Sequence, residues 1–167
     1  MTSMRQATGI VTVRTRGPGL VAIDAAVGRW LAEEARLARG EDGLLTLMCR
    51  HTSASLTIQE NADADVARDL QDAIAGLAPH GGRERYRHAS EGADDMAAHV
   101  RTVLSGVHLA VPVVDGRLAL GTWQGLWLWE HRDRGRAREV ALHLLAESRD
   151  TSRSVMRKRT NIRFHHE

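Results

Sequence analysis

Polar and apolar residues alternate from Thr8 to Arg16, with Ile10, Thr12 and Arg14 on one side of the chain and Val11, Val13 and Thr15 on the other. A period of two predicts a half-buried strand, which Gly17-Pro18-Gly19 ends. The period then changes. Asp24 stands where a helix cap belongs, and Val27, Trp30, Leu31 and Ala38 recur at helical spacing with Gly40 as the stop. Leu44 to Arg50 is a largely apolar run of strand length, and after the polar interruption His51-Thr52-Ser53 the chain continues extended from Ser55 to Ile58.

Asp63 is the next predicted cap, opening a helix whose inner stripe is Val66, Leu70, Ile74 and Leu77 and which Pro79 and Gly81-Gly82 terminate. A polar loop carrying Arg83 to Arg87, His88 and Glu91-Gly92 follows. Asp94 then caps a third helix with Met96, Val100, Val103 and Leu104 inward and Gly106 at its end. Val107 to Val114 reads as a strand that Pro112 assigns to an edge or a bulge, and Asp115-Gly116 is a two-residue hairpin signal leading to Arg117 to Leu120. From Leu126 to His131, Leu126, Leu128 and Glu130 share one face and Trp127, Trp129 and His131 the other, and Arg138 to Leu145 is a final strand. About seven strands and three helices, with strands often adjacent in sequence, predict an α+β fold whose mostly antiparallel sheet or sandwich packs against helices. Four tryptophans, two of them on one strand face, beside one Phe and one Tyr suggest an oligomer.

At 167 residues the chain suits one domain, assigned here to residues 1–148. Apolar runs stay well below the ~18 residues that cross a bilayer, and Met1 to Gln6 carry no signal-peptide pattern, so a cytoplasmic protein without a membrane partner is expected. Cys49 is the single cysteine and sits within an apolar run, which excludes an intrachain disulfide and favours a buried inert thiol. The net charge of +2 is uneven: residues 149–167 hold six basic side chains against Asp150 and Glu167. A near-neutral body with a short basic tail is not the footprint of a dedicated nucleic-acid binder.

Polar residues that interrupt apolar elements are the informative ones, because burying them costs free energy unless a partner satisfies them. His51, Thr52, Ser53 and Ser55 arrive at a strand end, either as a hydrogen-bonded structural cluster or as site residues. Glu60 and Asn61 precede the Asp63 cap. Capping and the helix dipole account for Asp63, Asp65 and their helical neighbours, whereas Glu60 is placed to enter a pocket. On the third helix His99 lies four residues from Asp95, and a carboxylate that orients an imidazole serves a general base or a metal ligand. Gly121-Thr122-Trp123-Gln124-Gly125 is a glycine-bracketed turn, readable as a structural corner or a binding loop. No Walker loop, dinucleotide fingerprint, HExxH or nucleophile elbow occurs.

Three segments in order, HTSASLTIQENADADVARDL at 51–70, YRHASEGADDMAAHVR at 86–101 and GTWQGLWLWEHR at 121–132, resemble the YjbQ family over roughly residues 8–147. The resemblance implies an α+β fold with a sandwich-like core, a homotrimer with a polar pocket near a subunit interface, and secondary thiamine-phosphate synthase activity. It carries the family's histidines onto His51, His88 and His99, its acidic positions onto Glu60, Asp63, Glu91 and Asp95, and its GTWQ onto Gly121 to Gln124. Ala97-Ala98 and Gln59 depart from its commoner residues without removing a candidate ligand, and the tail from Arg149 lies beyond it.

Thiamine-phosphate formation releases pyrophosphate, which a metal ion or cationic groups must neutralise. The leading expectation is therefore a metal-assisted enzyme acting on a small phosphorylated molecule. His51, His88 and His99 are expected to serve as metal ligands or anion donors, the ion being divalent, zinc or magnesium. Glu60, Asp63, Asp95, Arg101, Thr122 and Gln124 are the catalytic candidates, and Thr52, Ser53, Ser55, Asn61 and Trp123 the substrate-binding ones. The alternative is a non-catalytic trimer that captures a small anion or metabolite.

Overall fold

The computed structural model describes residues 4–148; the basic tail expected at 149–167 lies outside them. The chain forms β1 (Met4–Arg14), β2 (Gly19–Ala22), α1 (Asp24–Glu33), β3 (Glu41–Cys49), β4 (Ala54–Glu60), α2 (Ala64–Leu77), α3 (Asp95–Ser105), β5 (His108–Val114), β6 (Arg117–Leu118), β7 (Gln124–Glu130) and β8 (Ala137–Ser148). One sheet has the order β1-β8-β3-β5-β6 and the other β2-β7-β4. Every pairing is antiparallel, which is the expected α+β architecture.

Strand alternation builds the core. Leu45, Leu47 and Cys49 of β3, Val111 and Val113 of β5, and Val140, Leu142, Leu144 and Ala146 of β8 point to one side of the five-stranded sheet. They meet Ala54 and Leu56 of β4, Leu126 and Leu128 of β7, and Val27, Trp30 and Leu31 of α1. The second face of the smaller sheet is covered as well: Trp129 donates through Nε1 to Gln71 of α2 at 2.7 Å, and Ser105 of α3 donates to Ser55 of β4 at 2.7 Å. The small sheet is thus the middle layer between the large sheet and α2 with α3.

Several sequence expectations change, the inward stripe of α3 among them: Val103 and Leu104 face solvent, and Ala97, Ala98, Arg101 and Thr102 are buried in their place. Helix α1 ends at Glu33, ahead of Gly40, because the chain unwinds through wider bonds, Ala35 N–H to Trp30 C=O and Leu37 N–H to Leu31 C=O, and Arg36 takes φ 51. Asp24 is inside the helix, and its carboxylate accepts from Leu126 N–H at 2.9 Å, tying α1 to β7. Asp63 does cap α2, accepting from Asp65 N–H at 2.8 Å. Asp94 precedes α3 without capping it, because its carboxylate is taken by Arg132 and by Asp133 N–H. Pro112 sits inside β5 opposite Leu44 and not at an outer edge; its carbonyl accepts from Ala119 N–H at 2.8 Å. Asp115 and Gly116 take φ 56 and 70, the left-handed pair of the expected hairpin. The indole face expected to drive association is satisfied within the chain, since Trp129 lies under α2 and Trp127 donates to Gln59 C=O.

The outward face of the large sheet is not covered by the described residues. Ile10, Leu44, Met48 and Leu145 are exposed there, interleaved with Thr8, Thr46, Ala110 and Ala141.

Gly9 of β1 lets the Trp30 indole approach the strand closely: a Cβ at this position would stand 2.0 Å from Trp30 Nε1. Gly9→Ala is therefore expected to lose about 1–3 kcal/mol of unfolding free energy by overpacking, although Ala outranks Gly in strands. Urea unfolding of the variant measures this.

Candidate active site

Helix α3 starts at Asp95, so its first turn carries Asp95 and its second His99 on the same face. The preceding loop folds His88 back over them. His88 Nε2 lies 2.9 Å and His99 Nε2 3.3 Å from the same oxygen, Asp95 Oδ2, and the two rings are 5.9 Å apart. Asp95 is only 2% exposed, whereas the two imidazoles reach solvent. The ligand atoms of His88, Asp95 and His99 all lie within 4.8 Å of one another, close enough together to hold one metal ion.

His99 Nδ1 is 2.9 Å from Thr52 C=O. A carbonyl only accepts, so Nδ1 carries the hydrogen and a neutral ring presents its Nε2 lone pair to Asp95. The other carboxylate oxygen, Oδ1, accepts from Arg132 Nη1. Arg132 also donates through Nε to Asp94 Oδ2 at 2.8 Å and through Nη2 to Glu91 C=O at 2.9 Å. Burial works against the charged forms of this pair, yet their mutual hydrogen bonding prevails: the Asp94 carboxyl is held below the ordinary carboxylate range and the Arg132 guanidinium above its own.

The other candidates separate into two places. His51 shares a cleft of about 590 Å³ with Thr52, His99, Met48, Val103 and Val107, but it is outside the three-residue cluster. Its Nε2 accepts from Glu139 N–H at 2.8 Å, and burial followed by the charge of Arg138 lowers its basicity. Ser53 gives its carbonyl to Arg138. Ser55 is fully buried and bonded to His131 Nε2 at 2.8 Å, so a ligand in the cleft does not reach it. Arg101 is buried too, donating through Nε and Nη2 to Ala78 C=O at the end of α2.

Glu60, Asn61, Asp63, Thr122, Trp123 and Gln124 lie at the far end of the small sheet, where Glu60 pairs with Gln124, opposite the end where Ala54 pairs with Glu130. The seven residues of β4 separate the two ends by about 20 Å at roughly 3.3 Å per residue. Asn61 N–H bonds Trp123 C=O at 2.9 Å and Gly121 N–H bonds Gln124 Oε1 at 2.8 Å, so this is a compact corner with Trp123 projecting outward, 64% exposed. Within one chain the expected single pocket is two polar regions.

A family model described as UPF0047 protein YjbQ-like matches residues 9–147. The chain belongs to this family. Among YjbQ-like relatives it is 39% identical to UPF0047 protein YjbQ of Escherichia coli O157:H7 over 142 residues, covering 85% of this chain and 98% of that one. It is 57% identical to UPF0047 protein sll1880 of Synechocystis over 105 residues, 63% of this chain and 71% of that one. The crystal structure of the hypothetical protein TT1486 from Thermus thermophilus aligns with a TM-score of 0.67 at 40% identity, covering 80% of this chain and 97% of that one. A YjbQ-like protein of unknown function from Sulfolobus solfataricus aligns with a TM-score of 0.74 at 21% identity over 86% of this chain and 99% of that one, a likeness of fold alone. No helix among the described residues of this YjbQ-like chain is long and apolar enough to cross a membrane.

Glu130 at the end of β7 and His131 and Arg132 just after it are functional-site neighbours absent from the sequence-based candidates. Glu130 is fully buried on the face of Leu126 and Leu128, where its carboxylate accepts from Arg138, from Thr15 Oγ1 at 2.7 Å and from the N–H groups of His131 and Arg132, each at 3.0 Å. Its alternation with two core leucines was the available signal: a carboxylate at a core position requires a cation. His131 is also fully buried, with Nδ1 unpartnered. Desolvation, then the charge of Arg101, pushes its pKa down to about 4.

Because the folded His131 titrates below its ordinary value, the unfolded chain takes up the proton first as pH falls. Its contribution is fully present above about pH 6.5 and is lost towards pH 4, a change of about 3 kcal/mol at most. His131→Gln is expected to flatten the fall in unfolding free energy across this window, as read from urea titrations; an unchanged slope contradicts the assignment.

Proposed function

We propose that this protein is a metal-dependent enzyme acting on a small phosphorylated substrate, with a divalent ion held by His88, Asp95 and His99. The supporting observation is the contact between His99 Nε2 and Asp95 Oδ2 at 3.3 Å. With Nδ1 committed to Thr52, a lone pair faces a buried carboxylate oxygen, and only a cation between them, a proton or a metal, relieves that opposition. Ligand atoms bound tetrahedrally at about 2.0–2.1 Å stand about 3.3 Å apart. Two imidazoles and one carboxylate are a zinc donor set, whereas magnesium favours oxygen ligands and retained water. Three protein ligands leave a position open, as catalytic zinc sites do.

A bound ion supplies Lewis-acid stabilisation of phosphoryl oxygens. Asp95 and the two imidazoles fix its place, Thr52 C=O sets the His99 tautomer, and the cleft beside His99 receives the organic part of the substrate. Exposed Arg83, Arg85 and Arg87, on the loop that leads into His88, add positive charge for an anionic substrate. Joining a thiazole phosphate to a pyrimidine diphosphate with release of pyrophosphate is the specific reaction that the family resemblance suggests. His51 takes the role of a cleft residue, in place of the metal ligand expected from sequence. Participation of Glu60, Asp63, Thr122 or Gln124 requires a second subunit, because of their distance within one chain.

The proposed assembly is a homotrimer. The exposed row of Ile10, Leu44, Met48 and Leu145 supports burial of the outer sheet face against copies of the chain.

Calorimetric titration with zinc is expected to give one site per chain in the wild type and at least a tenfold weaker one in His99→Ala and Asp95→Asn. Metal-free protein that forms thiamine phosphate at the full rate would reject the proposal. Light scattering is expected to give the mass of three chains for the wild type and a smaller mass for the Ile10→Glu/Met48→Glu variant; a monomeric wild type contradicts the assembly.

A further inference from the structure

Asp95 Oδ2 faces His88 at 2.9 Å and His99 at 3.3 Å only while the carboxylate is held in one rotation. We infer that Arg132 is the positioning residue of the site, holding Asp95 so that one carboxylate oxygen is reserved for the ion. This inference rests on the metal reading for its purpose but on separate contacts for its geometry.

Arg132 is 8% exposed and each part of its guanidinium has a partner in the segment that carries the site. Nη1 donates to Asp95 Oδ1, Nε to Asp94 Oδ2, and Nη2 to Glu91 C=O. One planar fork therefore sets the rotation of the Asp95 carboxylate and draws the loop bearing His88 against the start of α3. With Oδ1 occupied by Arg132, Oδ2 is left to His88 at 2.9 Å and His99 at 3.3 Å. The arginine is itself fixed from behind. Glu130 Oε1 accepts from the N–H groups of His131 and Arg132, so the core ion pair of Glu130 with Arg138 pins the backbone from which Arg132 projects. Partners of this kind behind a ligand typically change metal affinity by 10–100-fold when removed.

The test uses the full-length chain with Arg132→Gln and Arg132→Lys, and Gly9→Ala as a variant destabilised elsewhere. The first readout is the ¹⁵N spectrum of the histidine ring nitrogens in metal-free protein at one fixed alkaline pH. The His88 and His99 ring signals are expected to move in both Arg132 variants and to stay in place in Gly9→Ala. Signals unchanged in Arg132→Gln overturn the inference whether or not metal binds; should that variant fail to fold, Arg132→Lys decides by the same criterion. The second readout is Co²⁺ titration followed by absorption. The dissociation constant is expected to rise about 10–100-fold in Arg132→Gln, with altered d–d bands, and to remain within twofold in Gly9→Ala. An unaltered constant and spectrum in Arg132→Gln overturn the inference. A wild type that takes up no Co²⁺ or Zn²⁺ instead sinks the metal reading, and the ring signals alone then decide the role of Arg132.

Discussion

The site depends on one buried carboxylate whose two oxygens are divided between unlike partners. Asp95 gives Oδ1 to Arg132 and presents Oδ2 to two imidazoles. A carboxylate that is 2% exposed costs several kcal/mol to bury unless charge and hydrogen bonds compensate it. Arg132 supplies that compensation at Oδ1, while at Oδ2 the His88 ring stands within hydrogen-bond distance and His99 faces the same oxygen. On the metal proposal a divalent ion would share Oδ2 with His88 and His99, since imidazoles and a carboxylate together form a zinc donor set.

The layered fold makes that asymmetry stable. Glu130 and Arg138 form a core ion pair whose carboxylate oxygens are fully engaged, by Thr15 and by two backbone N–H groups besides the arginine. Removing one member of such a pair commonly costs about 3–5 kcal/mol, so the turn after β7 is anchored before Arg132 leaves it. On the opposite wall, Thr52 C=O, at the polar break between β3 and β4, fixes His99. Two strand ends and one helix start thus converge on a point that none of them defines alone.

The fold was largely legible in the sequence. Period-two segments, the Asp63 cap and the Asp115-Gly116 turn gave the antiparallel α+β architecture, since each is decided by local chemistry. Boundaries shifted where a tertiary partner captured a capping side chain, as Leu126 did for Asp24 and Arg132 for Asp94. Of the site, the Asp95–His99 spacing was readable because helical geometry places i and i+4 together. His88 required the order of motifs, because a loop side chain has no periodicity. The separation of Glu60, Asn61 and Gln124 from the histidines was hidden, since three motifs in one order say nothing of which end of a strand each occupies. Glu130 and Arg132 were overlooked although the alternation of Leu126, Leu128 and Glu130 already put a charge on a core face.

Diffraction from crystals grown with zinc, recorded at the zinc absorption edge, decides whether Asp95 and the two imidazoles share an ion. One anomalous peak per chain is expected about 2.0–2.2 Å from His88 Nε2, His99 Nε2 and Asp95 Oδ2, with Arg132 still on Oδ1. A peak bound elsewhere, or no peak with the His99 ring directly hydrogen-bonded to Asp95, would contradict it.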